Sequence, residues 1–392
     1  MPISELTDAG AVRMAMQECD EAGQTAFLSQ HHFGDPDQYY VRAGVRLYPA
    51  KAIAGVAYGY QFRDRGILPH GGFSGGQAGA NRVLRQLGFD IIDTRPDTIA
   101  GERVWREAVY AHLRDLDPDG RGIEPGAIRS FGAYGGGQGV WVDSARTRDL
   151  DSRGVTVAVL NTGRHYADVL TDDDALYHYP NTNRPSGRDH AEVEATKAAG
   201  EHTIPVFVIS PAPTSGARRT VRLGWVGGWD DNSELFLITF APEAPAQLLD
   251  ADSSDEEEFQ LRGNNRRRRT REVVERPGQN TFKLRVFQRY GARCPLSGVA
   301  VPEMLEAAHL VPYAADGSDD PRNGLPLNAA LHRAFDAHLF AIDPDTHDVV
   351  TKPGGPGLTD LGITTPTIRG LVKLPHREAL AARYENWRSK QP

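Results

Sequence analysis

The chain has 392 residues, more than one compact core usually organises, so two or three domains are expected. Hydrophobic residues make up 40% and charged residues 24%, the composition of an ordinary globular protein. No apolar run reaches membrane-spanning length, and the first residues lack the pattern of a secretion signal, so a cytoplasmic location is expected. Two cysteines, Cys19 and Cys294, cannot build a disulfide framework or a four-cysteine zinc site. Any bound metal must therefore use His, Asp, Glu and water.

The first segment of the chain predicts a small α/β unit, which we place at residues 1–115. Helical spacing predicts helices over 11–21 and 51–58, and alternation around a glycine predicts a hairpin over 39–48. A further helix is expected over 78–87, closed by Gly88.

The middle segment, residues 130–245, has the pattern of many short strands. The apolar runs that predict them are 139–142, 155–160, 205–209, 221–226 and 235–240. One helical segment, 191–199, interrupts them, and Gly-, Pro- and Asn-rich turns separate them. This order favours a curved sheet or a partly open barrel.

A charged linker, residues 246–275, follows the strands. Its acidic run covers 250–258, and seven arginines come next: Arg262, Arg266, Arg267, Arg268, Arg269, Arg271 and Arg276. The net charge of −8 argues against nucleic acid as a partner, but this segregation leaves room for a basic stripe. The run is either a solvated linker or a set of contacts to a phosphate backbone, for which we single out the first of the clustered arginines, residues 266–268.

The last segment, residues 276–392, carries a resemblance. Tyr290-Gly-Ala-Arg-Cys294, Leu305-Glu-Ala-Ala-His309, Asn323-Gly-Leu-Pro-Leu327 and Leu331-His-Arg-Ala-Phe-Asp336 stand in order and at typical spacing. Together they resemble HNH endonuclease domains, which have the ββα-metal fold. The resemblance covers roughly 110 residues and implies hydrolysis of a phosphodiester bond.

The chemistry of phosphodiester hydrolysis explains these residue types. A water must be made nucleophilic, and a metal must stabilise charge on the departing oxygen. His309 is the expected general base, oriented by Asn323, which we expect to bond its backbone or ring. His332 and Asp336 stand four residues apart, so on a helix they share a face and can hold one divalent cation. Mg²⁺ or Mn²⁺ is the first expectation, and other first-row ions stay open.

One position departs from the wider HNH pattern. Many members have Asp or His immediately before the base as a metal ligand, whereas this chain has Ala308. Glu306 stands two residues earlier and, in a strand, points to the same side. We therefore name Glu306 as a replacement ligand, with a surface carboxylate as the alternative.

The middle segment resembles the SRA (YDG) domain, which flips a modified cytosine out of duplex DNA and has a PUA-like fold. The resemblance rests on Gly139-Val-Trp141, Thr162-Gly-Arg-His-Tyr166-Ala-Asp168 and Tyr177-His-Tyr179-Pro180. It implies that Tyr166 and Tyr179 stack on the base and that Asp168 accepts from its amino group, while Trp141 lies on a loop that enters the duplex. The alternatives are strand aromatics and a turn-forming aspartate. Arg184 and Arg188 are expected to contact phosphates.

The order of the segments resembles bacterial modification-dependent restriction endonucleases. Residues 51–58, 73–76 and 87–90 are similar to a head domain that such proteins carry. The expected function is cleavage of double-stranded DNA that contains 5-methylcytosine, by a possible homodimer. Two alternatives stay open: a nuclease whose reader recognises hydroxymethylcytosine, phosphorothioate or plain sequence, and a non-cutting DNA-binding protein.

Overall fold

The computed structural model describes residues 2–136, 139–161, 168–182, 187–245, 258–262 and 278–391. Packing divides the chain into two compact units. The first unit comprises Met1–Thr162 and Pro180–Trp225, and the second comprises Gly163–Tyr179 and Val226–Pro392.

The helices and strands are numbered in chain order. The helices are α1 (Ala9–Ala22), α2 (Gln24–Gln30), α3 (Ala50–Gln61), α4 (Ala80–Gln86), α5 (Ile99–Asp115), α6 (Pro125–Ser130), α7 (Ser144–Thr147), α8 (Arg188–Glu201), α9 (Gln279–Tyr290), α10 (Ala329–Asp336) and α11 (Arg377–Ser389). The strands are β1 (Tyr39–Ala43), β2 (Arg46–Pro49), β3 (Asp90–Asp93), β4 (Val140–Val142), β5 (Thr156–Leu160), β6 (Val169–Leu170), β7 (Asp174–His178), β8 (Val206–Ala212), β9 (Ser215–Asp230), β10 (Leu235–Thr239), β11 (Leu305–His309), β12 (Gly324–Asn328), β13 (Phe340–Ile342) and β14 (Val349–Thr351).

The first unit begins with an antiparallel sheet of order β2-β1-β3. The predicted hairpin is present as β1 and β2, and the helices expected from spacing are α1, α3 and α4. The carboxylate of Asp8 caps α1 by accepting from the backbone of Gly10 at 2.7 Å, as an aspartate at an N-cap does. A continuous apolar core joins α1 and α3, whose Ile53 is fully buried.

The same unit contains a second sheet of order β4-β5-β8-β9. Strands β5 and β8 are parallel, and the chain between them includes α8. A buried arginine of α5, Arg106, ties this sheet together: it pairs with Glu102 and donates to the carbonyl oxygens of Thr156 and Pro205, at 2.7 Å each. A buried guanidinium needs such partners because desolvation of its charge is otherwise costly.

In the second unit, the strands that come after the end of β9 have the order β10-β7-β6. The register of β10 and β7 pairs Leu235 with His178 and Thr239 with Asp174. Leu176 of β7 lies in the same apolar core as Phe282 of α9. Within the residues described here, no strand pairing closes these strands into a barrel, so a closed barrel is not found, and the curved or partly open sheet stays a prediction. A sequence of short strands did not reveal which of them would be neighbours.

The remainder of the second unit is the α+β segment expected at the carboxyl end. Strands β11 and β12 form an antiparallel hairpin, α10 follows at once, and β13 pairs with β14. Helix α11 adds Leu380 and Ala379 to the core. In the described ranges, no helix combines the length and the apolar character needed to cross a membrane.

Candidate active site

The hairpin β11–β12 and helix α10 bring the motif residues into one ββα unit. His309 is the last residue of β11 and stands opposite Gly324, the first residue of β12. Asn328 ends β12 and caps α10, because its Oδ1 accepts from the backbone of Leu331 at 2.9 Å. This cap starts the helix close to the hairpin and thereby directs His332 toward it.

Asn323 holds the loop that follows His309. Its side chain is fully buried, and its Oδ1 accepts from the backbone of Val311 at 2.9 Å. Its Nδ2 donates to the carbonyl oxygens of Val311 and Ser318, at 3.2 and 2.9 Å. We expected this side chain to bond His309 itself. The structure corrects that expectation: the amide fixes the chain two residues beyond the histidine, because it points into the loop.

Asp319 and Phe282 both contact the ring of His309. Its Nε2 lies 3.2 Å from Oδ1 of Asp319, and the ring of Phe282 stacks on it with centroids 3.7 Å apart and planes 13° apart. An ionised carboxylate only accepts, so Nε2 is the donor in this contact. Neither neighbour was found from the sequence. The sequence feature that could have indicated the carboxylate partner of His309 is Asp319, four residues before Asn323.

The close approach of α9 explains a glycine of the motif. A Cβ at Gly324 would stand 2.6 Å from the ring of Phe282 and 2.7 Å from Val286. Because such distances are far inside van der Waals contact, only glycine fits between α9 and the hairpin.

His332 lies between two carboxylates. Its Nδ1 is 2.6 Å from Oε2 of Glu306, and its Nε2 is 3.5 Å from Oδ2 of Asp336. Both carboxylates are open to solvent, with side-chain exposures of 46% and 58%. The predicted residues Glu306, His332 and Asp336 are thus brought together, and the ring uses opposite edges for its two partners.

These distances assign different parts to the two carboxylates. Two ligands that are each about 2.1 Å from one ion stand about 3.0–3.4 Å apart, close to the separation of Nε2 and Asp336. The contact to Glu306 is a hydrogen-bond distance instead, in which Nδ1 donates to the carboxylate. Glu306 therefore fits the carboxylate that orients a metal-bound histidine better than it fits a ligand. In the described part of the chain no cluster of three ligand side chains occurs, so water and phosphate would complete the shell of an ion.

Two cations surround this group. Burial lowers the pKa of Lys283 on α9, and the carboxylates of Glu306 and Glu303 oppose that shift. Burial also lowers the pKa of Arg383, whose guanidinium is 3.8 Å from Oδ1 of Asp336 and packs over Phe335 at 4.0 Å. Neither cation was anticipated from the sequence, since both come from helices outside the motif.

The predicted base-reading residues of the second unit have partners within the protein. Oδ1 of Asp168 accepts from the backbone nitrogen of His178 at 2.9 Å and lies 3.0 Å from its Nδ1. Tyr179 donates to Asp231 at 2.9 Å, and its buried ring lies 4.4 Å from that of Phe236. The second arrangement favours our alternative, an aromatic that packs on the sheet.

The other predicted DNA contacts lie elsewhere or outside the description. Trp141 was expected on a loop, but it lies in strand β4 of the first unit, paired with Ala158, and its indole packs against the backbone of Gly135. Arg188 is half exposed at the start of α8, with its Nε 3.4 Å from Glu192. The remaining positions lie outside the described residues: Tyr166, Arg184, Arg266, Arg267 and Arg268.

Two parts of the chain match known families. Residues 4–93 match the family described as the ScoMcrA-like N-terminal head domain, and residues 294–343 match the HNH endonuclease family. The second match contains His309, Asn323, His332 and Asp336. The carboxyl-terminal part of the chain is therefore an HNH endonuclease domain, and the protein is a nuclease. No curated protein matches the chain.

Among solved structures, two restriction enzymes are similar. One is described as a modification-dependent TagI restriction endonuclease: identity is 17%, 69% of this chain and 93% of that chain are covered, and the TM-score is 0.28. The other is described as the type IV phosphorothioation-dependent restriction endonuclease ScoMcrA: identity is 12%, coverage is 97% and 98%, and the TM-score is 0.22. Identity and TM-score are both too low for either likeness to carry a functional conclusion.

Proposed function

We propose that this protein is a metal-dependent DNA endonuclease that cuts DNA carrying a chemical mark. The observation that carries the nuclease half is the convergence of Glu306, His332 and Asp336 beside the hairpin of His309. These residues lie in the segment that matches the HNH family. Two carboxylates thus flank His332 in the same ββα unit that carries His309 with its contacts to Asp319 and Phe282.

In this proposal His309 removes the proton from the attacking water. Asp319 holds the proton of the imidazole on Nε2 and stabilises the imidazolium that forms. Phe282 covers one face of the ring and thereby restricts its rotation. Asn323 holds the loop that carries Ser318, directly before Asp319, and so keeps the carboxylate within reach.

His332 and Asp336 would hold one divalent cation, which fits their separation and exposure. A bound Mg²⁺ or Mn²⁺ supplies charge that stabilises the phosphoryl oxygens and the departing oxygen. Glu306 accepts a hydrogen bond from Nδ1 of His332, and the guanidinium of Arg383 lies 3.8 Å from Oδ1 of Asp336. The cations of Lys283 and Arg383 also lower the repulsion between two carboxylates and the incoming phosphate.

For the mark, we propose that residues 130–245 recognise a modified cytosine, with 5-methylcytosine as the first candidate. His178 contacts Oδ1 of Asp168, and the proposal gives Oδ2 the part of accepting from a cytosine amino group. Arg188 and the arginines at 266–268 would supply salt-dependent contacts to phosphate. One HNH unit per chain suits one strand, so cutting of both strands would require a second copy.

Two other readings are tested by the same experiment. A phosphorothioate mark is favoured by one observation, the match of residues 4–93 to the ScoMcrA-like head domain, since the ScoMcrA structure is described as phosphorothioation-dependent. The second is the non-cutting DNA-binding protein that Ala308, in place of a usual ligand, suggested in the sequence; the match to the HNH endonuclease family argues against it. The contact between Glu306 and His332 also argues against it.

The experiment compares one plasmid in four forms: unmodified, cytosine-methylated, hydroxymethylated and phosphorothioated. Each is incubated with Mg²⁺, with Mn²⁺ and with chelator, and nicked and linear products are separated. We expect metal-dependent cutting of the methylated form alone. Cutting of another single form would mean that the protein recognises that mark. Equal cutting of all forms would contradict recognition of a mark, and binding without cutting of any form would contradict the nuclease function.

A further inference from the structure

Helix α9 stands between the catalytic histidine and a strand of the middle segment. Phe282 of α9 is buried and stacks on His309. Asn280, two residues earlier, lies on nearly the opposite face, because two residues turn an α-helix by about 200°. Helix α9 is therefore a spacer with His309 on one side and whatever Asn280 contacts on the other.

Asn280 contacts the first residue of β7. Its Nδ2 donates to Oδ1 of Asp174 at 2.7 Å, and the two side chains belong to residues only 5% and 4% exposed. The same oxygen accepts from Thr171 at 2.8 Å. A short hydrogen bond from a neutral amide to a buried carboxylate is strong and directional, and loss of the donor would leave the charge less satisfied.

This bond is the polar anchor at the start of α9. The N-cap residue, Gly278, has no side chain that could cap the helix. The side chain of Asn280 bonds strand β7 and not the backbone of its own helix. At the other end of the helix, Gln288 donates to the carbonyl oxygen of Trp229 at 2.9 Å. Leu176 and Leu237 pack in the same apolar core as α9 without directional bonds, whereas the two hydrogen bonds join specific atoms near the two ends of the helix.

Strand β7 also reaches the proposed base-reading site. Asp174 is its first residue and His178, which binds Asp168, is its last. Four residue steps separate them, a distance of about 13 Å along a strand. The strand that anchors the catalytic helix at one end is thus held by Asp168 at the other.

We propose that Asp174 and Asn280 are positioning residues for the nuclease reaction. They hold α9 so that Phe282 keeps the ring of His309 in its reactive orientation, and they make that orientation depend on β7. This inference rests on the nuclease function proposed above. It predicts that the pair acts on the rate of cleavage and on the environment of His309, without contacting DNA itself.

The test is a reciprocal exchange of the pair. Asn280→Asp places two carboxylates in contact and should break the anchor. The double variant Asp174→Asn with Asn280→Asp restores a donor and an acceptor with their roles reversed. Asn280→Ala removes the donor without adding charge and serves where Asn280→Asp does not fold. Thr196→Val is the matched control, since it removes a buried hydrogen bond to Thr156 in the other unit, at 2.8 Å.

The first readout needs no DNA. In full-length protein with isotope-labelled histidine, the ring protons of His309 should be shifted upfield by the stacked Phe282, and His309→Ala assigns the signal. We expect Phe282→Leu to abolish this shift, Asn280→Asp to reduce it, and the double variant to restore it. Thermal unfolding checks that each variant is folded. An unchanged signal in folded Asn280→Asp and Asn280→Ala would overturn the proposal whatever DNA the protein cuts.

The second readout is single-turnover cleavage of whichever plasmid is cut. We expect Asn280→Asp to lower the rate about 10- to 100-fold, as small displacements of catalytic groups do, with the Kd for DNA unchanged. The double variant should recover most of that loss, and Thr196→Val should lose none. A fall in DNA affinity at unchanged rate, or no recovery in a folded double variant, would make the pair merely structural. Failure to cut any plasmid would count against the nuclease function and leave the first readout decisive.

Discussion

Nδ1 of His332 lies 2.6 Å from Glu306, while Nε2 of the same ring faces Asp336. The ring of His332 thus stands between two carboxylates that could otherwise both bind one metal ion. Nδ1 donates to Glu306, so Nε2 is the nitrogen that would bind a cation beside Asp336. This division of roles leads to different expectations for the two acidic residues.

Replacement of Glu306 should weaken metal use without ending it. We expect Glu306→Ala to raise the Mn²⁺ concentration for half-maximal cleavage by about 10- to 100-fold, the usual effect of losing a carboxylate behind a metal-bound histidine. Glu306→Gln should do less, because its amide oxygen still accepts from Nδ1. Asp336→Ala should abolish cleavage at any Mn²⁺ concentration. Glu385→Gln, at an exposed carboxylate of α11, is the control. Equal losses from Glu306→Gln and Asp336→Asn would instead make Glu306 a direct ligand.

Removal of the general base should stop cleavage and spare binding. His309→Ala is expected to lower the cleavage rate about 10²- to 10⁴-fold, the range of general base catalysis, with DNA affinity retained. Asp319→Asn should cause a smaller loss, since it removes the charge that stabilises the imidazolium. Asp316→Asn, at an exposed aspartate of the same loop, should leave the rate unchanged. Rates come from single-turnover assays and affinities from gel shifts. Loss of DNA binding in His309→Ala would show a structural role.

Asp168 should affect the choice between modified and plain DNA. Its proposed contact to the cytosine amino group predicts that Asp168→Ala lowers the preference for modified DNA by about 10-fold, within the range of one polar contact. Competition binding with modified and unmodified duplexes measures this ratio directly. Asp172→Asn, at an exposed aspartate in the turn before β7, should keep the ratio. A preserved preference in folded Asp168→Ala would mean that the mark is read elsewhere.

The pH dependence of stability should contain a contribution from His112. Burial lowers its pKa to about 4, Asp115 and Asp20 oppose that shift, and Arg46 adds to it. Its Nδ1 accepts from the backbone of Leu47 at 3.2 Å, which requires the neutral ring. In the unfolded chain this histidine takes up a proton near pH 6.5. The contribution of His112 to the free energy of unfolding is therefore fully present above that pH, and it falls by up to about 3 kcal/mol as the pH drops toward 4.

The variant His112→Asn tests this contribution, because its Oδ1 can accept from Leu47 and has no proton to gain. Urea unfolding at pH 7 and at pH 4.5 should show a smaller loss of unfolding free energy in the variant than in the parent protein. Other carboxylates titrate in this range in both proteins, so only the difference is informative. Equal losses in the two proteins would mean that His112 is not held neutral.

The parts of the site that the sequence predicted are those whose geometry is local. His332 and Asp336 share a helix face whatever surrounds them, and Asn323 precedes β12 by one residue. Glu306 was recognised from strand alternation, although its place beside Nδ1 of His332 depends on how α10 packs on β11. Strand alternation predicts on which side of β11 the carboxylate lies, but it does not predict which ring nitrogen of His332 the carboxylate contacts.

The parts that the sequence did not predict depend on long-range packing. Phe282 is one apolar residue of an amphipathic helix, and nothing in its spacing distinguishes it from Phe287. Asp174 looks like a turn residue until Asn280, distant in sequence, is placed against it. The parallel pairing of β5 with β8 has the same origin, since alternating patterns are alike in parallel and antiparallel neighbours.

The narrow space beside Gly324 has a practical consequence for where this nuclease can be cut out of the chain. The segment that matches the HNH family begins at residue 294, after the end of α9. A fragment with that start would keep the glycine and lose Phe282, so the face of the hairpin that carries His309 would meet water. Helix α9 in turn presses on Leu176 and Leu235, which come from strands far earlier in the chain. A fragment made for crystallisation or engineering should therefore retain β7 and β10.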